Sequence, residues 1–92
     1  METIYKGSYW SVNVKFERQI GNFEAYLHNK ATKRADVLDT TQIGENSYVV
    51  YMDAADTDSL GVGVYDLELW AGDSLLEVKS NFAKVVTTAK SN

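Results

Sequence analysis

Gly61 and Gly63 precede Asp66 in the stretch LGVGVYDLELW, and closely spaced glycines can form a loop that binds phosphate. A dinucleotide-binding fingerprint has the pattern G-x-G-x-x-G between a strand and a helix. Here the sixth position is Asp66, and the residues that follow alternate as in a β-strand. The Gly-Lys-Ser/Thr sequence of a P-loop is also missing. The two glycines therefore indicate a step into a strand, and we expect no cofactor.

Asp66 and Glu68 have the spacing that most readily suggests acid–base chemistry. Residues two apart in a strand project from the same face about 7 Å from each other, and paired carboxylates catalyse glycoside hydrolysis. The same spacing is common on strand faces that contact only water. We therefore expect a non-enzymatic protein, and an enzyme that uses these two residues is kept as an alternative.

Asp53, Asp56 and Asp58 could suggest a calcium loop. Counted from Asp53 they occupy positions 1, 4 and 6, whereas an EF-hand needs ligands at 1, 3, 5 and 12, and position 12 is Val64. Capping of a helix by Asp53 explains these acids more simply, with an irregular calcium site as the alternative.

His28 is the only histidine and cysteines are absent, so the ligands of a structural zinc site are missing. We expect no metal site and a solvated His28.

The chain has 92 residues and a net charge of −4. This length predicts a single domain over residues 1–92. No apolar run approaches the ~20 residues of a membrane-spanning helix, and the first residues lack the basic and apolar regions of a signal peptide. The negative charge argues against nucleic acid as a partner. We expect neither a membrane nor a nucleic-acid partner.

The acidic residues are concentrated in one part of the chain. Residues 53–77 contain seven acids and no basic residue, whereas Lys30, Lys33 and Arg34 form a small basic cluster in a predicted loop. Solvated strand faces and turns would account for the acids, and an acidic face that docks on a basic neighbour is the functional alternative.

Apolar and polar residues alternate along several short segments, which predicts β-strands. The clearest is YWSVNVKF, residues 9–16, where Trp10 and every second residue after it are apolar. Asp53 as an N-cap predicts one helical turn near residues 53–59. The remaining predicted strands are residues 3–7, 23–29, 37–43, 47–52, 64–70 and 75–86, with a hairpin turn at Gly72-Asp73 and a bulge near Ser80-Asn81. This pattern is typical of an all-β antiparallel sandwich.

Tyr65 stands two residues before Leu67 at the start of a predicted core strand. The tyrosine of a tyrosine corner in a β-sandwich has this position, and its hydroxyl bonds to backbone a few residues upstream. The sequence therefore predicts a buried Tyr65 ring whose hydroxyl bonds to backbone within residues 58–61.

Four segments carry a resemblance to a known group: IYKGSYWSVNVKF, YVVYMDAADTDSL, GVGVYDLELW and the closing strand that ends near VTT. In this order of strand, helical turn, small-residue step and Tyr-Asp-Leu-Glu-Leu strand, the chain resembles small phage virion proteins, including the N-terminal domains of baseplate upper proteins. The resemblance implies an immunoglobulin-like β-sandwich of about seven strands. It also implies a virion or tail location, with synthesis in the bacterial host cytoplasm, and contacts with other virion or tail proteins.

The aromatic residues supply the candidate binding surface. Trp70 shares a strand face with Asp66 and Glu68, and Tyr26 and Tyr51 are also expected to point away from the core. An exposed tryptophan among tyrosines can anchor a protein interface or stack on a sugar. We therefore expect a structural or docking module, with a glycan-binding or cell-surface-binding module as the alternative. The edges of such a small β-domain can also pair to form a homo-oligomer.

Overall fold

The computed structural model describes residues 1–87. The sequence after Val86, TTAKSN, is polar and predicts a tail without a strand; its residues 88–92 lie outside the described residues. The prediction of an all-β chain with about seven strands and one helical turn is confirmed. The elements are β1 (Glu2–Tyr5), β2 (Trp10–Lys15), β3 (Glu24–Asn29), β4 (Ala35–Gln42), β5 (Ser47–Met52), α1 (Ala54–Asp58), β6 (Gly63–Ala71) and β7 (Ser74–Val86).

The strands form one mixed sheet in the order β1-β7-β6-β3-β4-β5-β2, which is nearly closed. Strand β4 changes its pairing partner in the middle. Its first half, Ala35–Leu38, pairs with β3, and its second half, Asp39–Gln42, pairs with β5. We call β1, β7, β6, β3 and the first half of β4 the long part of the sheet, and the remainder the short part. One pairing differs from the predicted antiparallel pattern, since β1 runs parallel to β7.

The core forms where the apolar residues of each strand face inward, as the period of two requires. Strand β5 shows the alternation clearly, with Tyr48, Val50 and Met52 buried. At one end of the core the rings of Phe16, Phe23 and Tyr48 pack edge to face. The other buried apolar residues are Ile4, Trp10, Val14, Ala25, Leu27, Leu38, Leu60, Tyr65, Leu67, Leu69, Ala83 and Val85.

Helix α1 begins after Asp53, which caps it as the sequence predicted. The Asp53 side chain accepts a hydrogen bond from the Asp56 backbone N–H at 3.0 Å, which satisfies one of the donors left free at a helix start. The nearby Asp53 carboxylate raises the pKa of Asp56. These acids are therefore explained by the local geometry of the helix.

Strands β6 and β7 form a hairpin with a two-residue turn at Gly72 and Asp73, since Ala71 pairs with Ser74. Gly72 has a φ of +60°, in the left-handed region that glycine adopts without steric cost. The bulge expected near Ser80-Asn81 is present, because the register shifts there and Asn81 has a φ of +52°.

Tyr65 lies in the core at the start of β6, with 1% of its surface exposed. Its hydroxyl donates a hydrogen bond of 2.7 Å to the Gly61 carbonyl oxygen, the bond that the sequence predicted. Gly61, just before β6, and Gly63, its first residue, therefore lead the chain past this ring. Gly63, with a φ of +148°, takes a backbone conformation that other residues rarely adopt.

Replacing Tyr65 by phenylalanine should lower the free energy of unfolding by about 0.5–1.5 kcal/mol, the net value of one hydrogen bond. The ring stays in place, so the core packing is retained. Urea denaturation of the variant and the wild type measures the difference. A matched replacement of Tyr9, which is exposed, should change stability by less than about 0.5 kcal/mol. Equal stability of the Tyr65 variant and the wild type would contradict a structural role for this hydroxyl.

Candidate functional site

The candidate site is a patch of side chains on the side of β3 and β6 that faces away from the core. Three cross-strand pairs form it, because residues directly opposite each other project from the same face. We call this patch the outer face. Its pairs are Glu24 with Trp70, Tyr26 with Glu68, and His28 with Asp66.

Glu68 is the centre of the hydrogen bonds on the outer face. One carboxylate oxygen accepts a bond of 3.1 Å from the Trp70 indole N–H, and the other lies 3.1 Å from Nδ1 of His28. Nε2 of His28 lies 3.1 Å from the Lys33 carbonyl oxygen. Both partners of the imidazole are acceptors, so both bonds form when both ring nitrogens carry hydrogen. His28 lies on the polar face of its strand as predicted, with 31% of its side chain exposed, and the loop after β3 folds back and partly covers the ring.

Asp66 is also engaged. Its carboxylate accepts a 2.8 Å hydrogen bond from the Asn81 backbone N–H and lies 3.4 Å from Nζ of Lys30. The bond from Asn81 does most to lower the pKa of Asp66, and Lys30 and His28 act in the same direction against the opposing effect of burial. The carboxylate thus holds the β7 bulge against β6.

The carboxylates of Asp66 and Glu68, the predicted acid–base pair, both bond to other groups of the protein. Two grooves on the described part of the chain, with volumes of about 510 and 300 Å³, are lined by other residues. General acid–base catalysis needs a carboxyl group that can reach a substrate proton. Asp66 and Glu68 instead connect neighbouring strands and loops, so their geometry gives no support to the glycoside-hydrolase alternative.

Tyr51 does not join the other predicted site residues. It lies on β5, in the short part of the sheet, where its ring stacks on that of Tyr9 with centroids 6.1 Å apart. The other four predicted site residues lie on β3 and β6, so the structure places Tyr51 on a different part of the sheet from them. The alternation of polar and apolar residues tells which way a side chain points, but not which part of the sheet its strand joins.

Exposed apolar residues extend the outer face on both sides. On β7, Leu75 pairs with Trp70 and Val78 pairs with Glu68; on β4, Val37 pairs with Tyr26. Leu75, Val78 and Val37 are 49%, 42% and 63% exposed. Together with Trp70 and Tyr26 they form an apolar band across four strands, with Glu68 between Val78 and Tyr26.

Sequence reasoning missed the part of this band on β7. Leu75 and Val78 are three residues apart, and simple alternation would place them on opposite faces. A register shift between the Leu69 and Trp70 pairs adds one residue to β7, so both side chains share a face. The segment LLEV, with three apolar residues out of four, indicated an apolar surface on β7, but it does not locate the bulge.

Among residues 1–87, no group of three or more histidine, aspartate or glutamate side chains is placed to hold a metal ion. In the same range, no helix has the length and apolar character needed to cross a membrane. Comparison with models of protein families and with curated proteins gave no match to this chain. Its function is therefore argued from the outer face.

Proposed function

We propose that this chain is a non-enzymatic structural or docking module of a phage or prophage virion or tail, which acts by protein–protein contact through the outer face. The observation that carries the proposal is the apolar band across four strands, with Trp70 and Tyr26 in its middle. Contiguous exposed apolar residues with a polar rim are typical of interaction surfaces. The sequence resemblance to virion proteins supplies the setting.

Trp70 is the expected anchor of this interface. Tryptophan and tyrosine contribute more binding energy than other residues when an interface excludes water around them. The Trp70 indole is half-buried and bonded to Glu68, so the side chain is already fixed before a partner arrives. Binding therefore costs little side-chain entropy at this position.

The charge near the band indicates the chemistry of the partner. Glu24, Asp66 and Glu68 surround Trp70 and Tyr26, and Lys30, 3.4 Å from Asp66, offsets part of this negative charge. Opposite charges across an interface speed encounter and reject wrong partners. The partner is therefore proposed to be a virion protein with an apolar patch rimmed by lysine and arginine.

The test is whether the chain is part of a particle. Particles from a strain that carries the gene are purified on a density gradient and analysed by quantitative mass spectrometry. The chain should appear at a fixed ratio to the major tail or capsid protein, and Trp70→Ala should lower this ratio at least tenfold, about 1.4 kcal/mol of lost binding. Tyr9→Ala, on the short part of the sheet, serves as the matched control and should leave the ratio unchanged. Particles without the chain would refute the proposal.

A glycan-binding module is the second candidate, favoured by one observation. Trp70 and Tyr26 lie diagonally on neighbouring strands with the carboxylates of Glu24 and Glu68 beside them. Aromatic rings next to hydrogen-bond acceptors can hold a sugar. Titration with a glycan panel should then change the tryptophan fluorescence, and Trp70→Ala should abolish that change. An unchanged signal across the panel would remove this candidate.

A further inference from the structure

Strand β7 has a free edge over most of its length. It runs from Ser74 to Val86, but β1 covers only Ala83–Val86 on the side away from β6. Among residues 1–87 no strand pairs with Ser74–Phe82 on that side. The backbone N–H and C=O groups of such an edge can pair with another strand.

We propose that a second copy of this chain occupies this edge, and that the two β7 strands pair antiparallel around a two-fold axis at Val78. Val78 is the midpoint of Ser74–Phe82. Val78 is also the centre of Glu77–Lys79, the regular part of the free edge between the two register shifts of β7. Pairing centred there brings these regular parts of both copies together and places Ser74 of each copy opposite Phe82 of the other, next to where β1 begins. Two-fold symmetry is the commonest symmetry of homo-oligomers, and in such a dimer the same surface of both copies meets.

The charges on the edge select the same register. In the arrangement centred on Val78, Glu77 lies opposite Lys79 of the second copy, and Lys79 lies opposite the second Glu77. Centring the pair on Glu77 or on Lys79 would instead place identical charges opposite each other, which is unfavourable. Within one copy these side chains already form an ion pair of 3.2 Å.

Lysine on an edge strand normally discourages pairing with other chains. Lys79 does not have this effect here, because the antiparallel partner presents Glu77 at the opposing position. The edge is therefore selective, because it fits its own sequence and disfavours a strand that places like charges opposite Glu77 and Lys79.

Apolar contacts and space complete the interface. Val78, 42% exposed in one copy, would lie against Val78 of the other. On the opposite side of the edge is the groove of about 510 Å³, lined by Phe16, Ile20, Leu76 and Glu77 with two further charged residues. This groove leaves room for the side chains of an incoming strand at the place where the sheet is not closed.

Self-association through β7 does not depend on a virion role, and it is tested separately. Sedimentation equilibrium from micromolar to near-millimolar concentration should show a monomer–dimer equilibrium. Glu77→Lys and Lys79→Glu should each raise the dimer dissociation constant about tenfold, because each places two like-charged pairs in the interface. The double variant Glu77→Lys/Lys79→Glu restores opposite charges and should return the constant to that of the wild type.

Matched charge reversals away from the free edge are the controls. Glu45 lies in a turn, and Lys84 lies on β7 where β1 covers the edge. The variants Glu45→Lys and Lys84→Glu should therefore dimerise as the wild type does. Circular dichroism verifies that every variant is folded. A wild type that stays monomeric at all concentrations overturns the proposal. Single reversals without effect, or a double variant that does not recover, overturn it as well.

Discussion

Replacing Thr57 by valine is expected to lower the free energy of unfolding by about 1–3 kcal/mol, the cost of leaving buried polar groups without partners. Thr57 is fully buried in α1. Its hydroxyl accepts a 3.1 Å bond from the Gly7 backbone N–H and donates a 2.7 Å bond to the Ser8 carbonyl oxygen. Valine has nearly the same shape but no hydroxyl, so both backbone groups of the β1–β2 turn lose their partner.

Thr57→Ser is the matched control, because serine keeps the hydroxyl and removes only a methyl group. Urea denaturation should place its stability between that of the wild type and that of the valine variant. Hydrogen exchange at Gly7 gives a second measurement, since its amide should exchange faster in the valine variant alone. Unchanged stability and exchange in Thr57→Val would show that the β1–β2 turn is held by other contacts.

Replacing Asn29 by alanine is expected to cost about 1–3 kcal/mol of stability for a related reason. Asn29 is only 3% exposed at the end of β3. Its side-chain oxygen accepts bonds of 2.9 and 3.0 Å from the Ala31 and Thr32 N–H groups, and its amide nitrogen lies beside Gly61 and Gly63. One side chain thus fixes the β3–β4 loop and contacts the glycine step before β6.

Thermal and urea unfolding of Asn29→Ala measure this cost. Asn13, exposed on β2, provides a control of the same residue type, and Asn13→Ala should change stability by less than about 0.5 kcal/mol. Because the loop also bonds to His28 through the Lys33 carbonyl, the His28 ring signals in an NMR spectrum should shift in Asn29→Ala. Equal stabilities of the two variants would argue against this role of Asn29.

Local patterns were sufficient to predict most of the elements. Alternation located β2, and the continuous apolar run SYVVYM located β5. Asp53 identified the start of α1, and Gly72 marked the hairpin turn. The burial of Tyr65 could be predicted because its hydroxyl bonds to the Gly61 carbonyl oxygen, only four residues upstream. These features depend on residues close together in the chain, and short-range sequence patterns report them well.

The missing parts depend on pairing between distant segments. The parallel alignment of β1 with β7 joins Glu2 to Ala83, and no local pattern encodes it. The separation of Tyr51 from Trp70 follows from the change of partner in the middle of β4. For the site, alternation correctly grouped Asp66, Glu68 and Trp70. The bulge of β7 beside Trp70 and the contacts of His28 required the register of β6 with both neighbours.

The pairing of β1 with β7 also has a consequence for the order of folding. Ile4 is buried beside Val85, its partner in the register. This contact therefore closes a loop that contains almost all of the described residues. Closing a long loop costs entropy, and folds dominated by such contacts form slowly. On the ribosome, β1 is made before β7 and cannot pair until β7 has emerged. Strand β1 is therefore expected to be among the last of these strands to dock, and until then Ile4 remains exposed to chaperones and to other nascent chains.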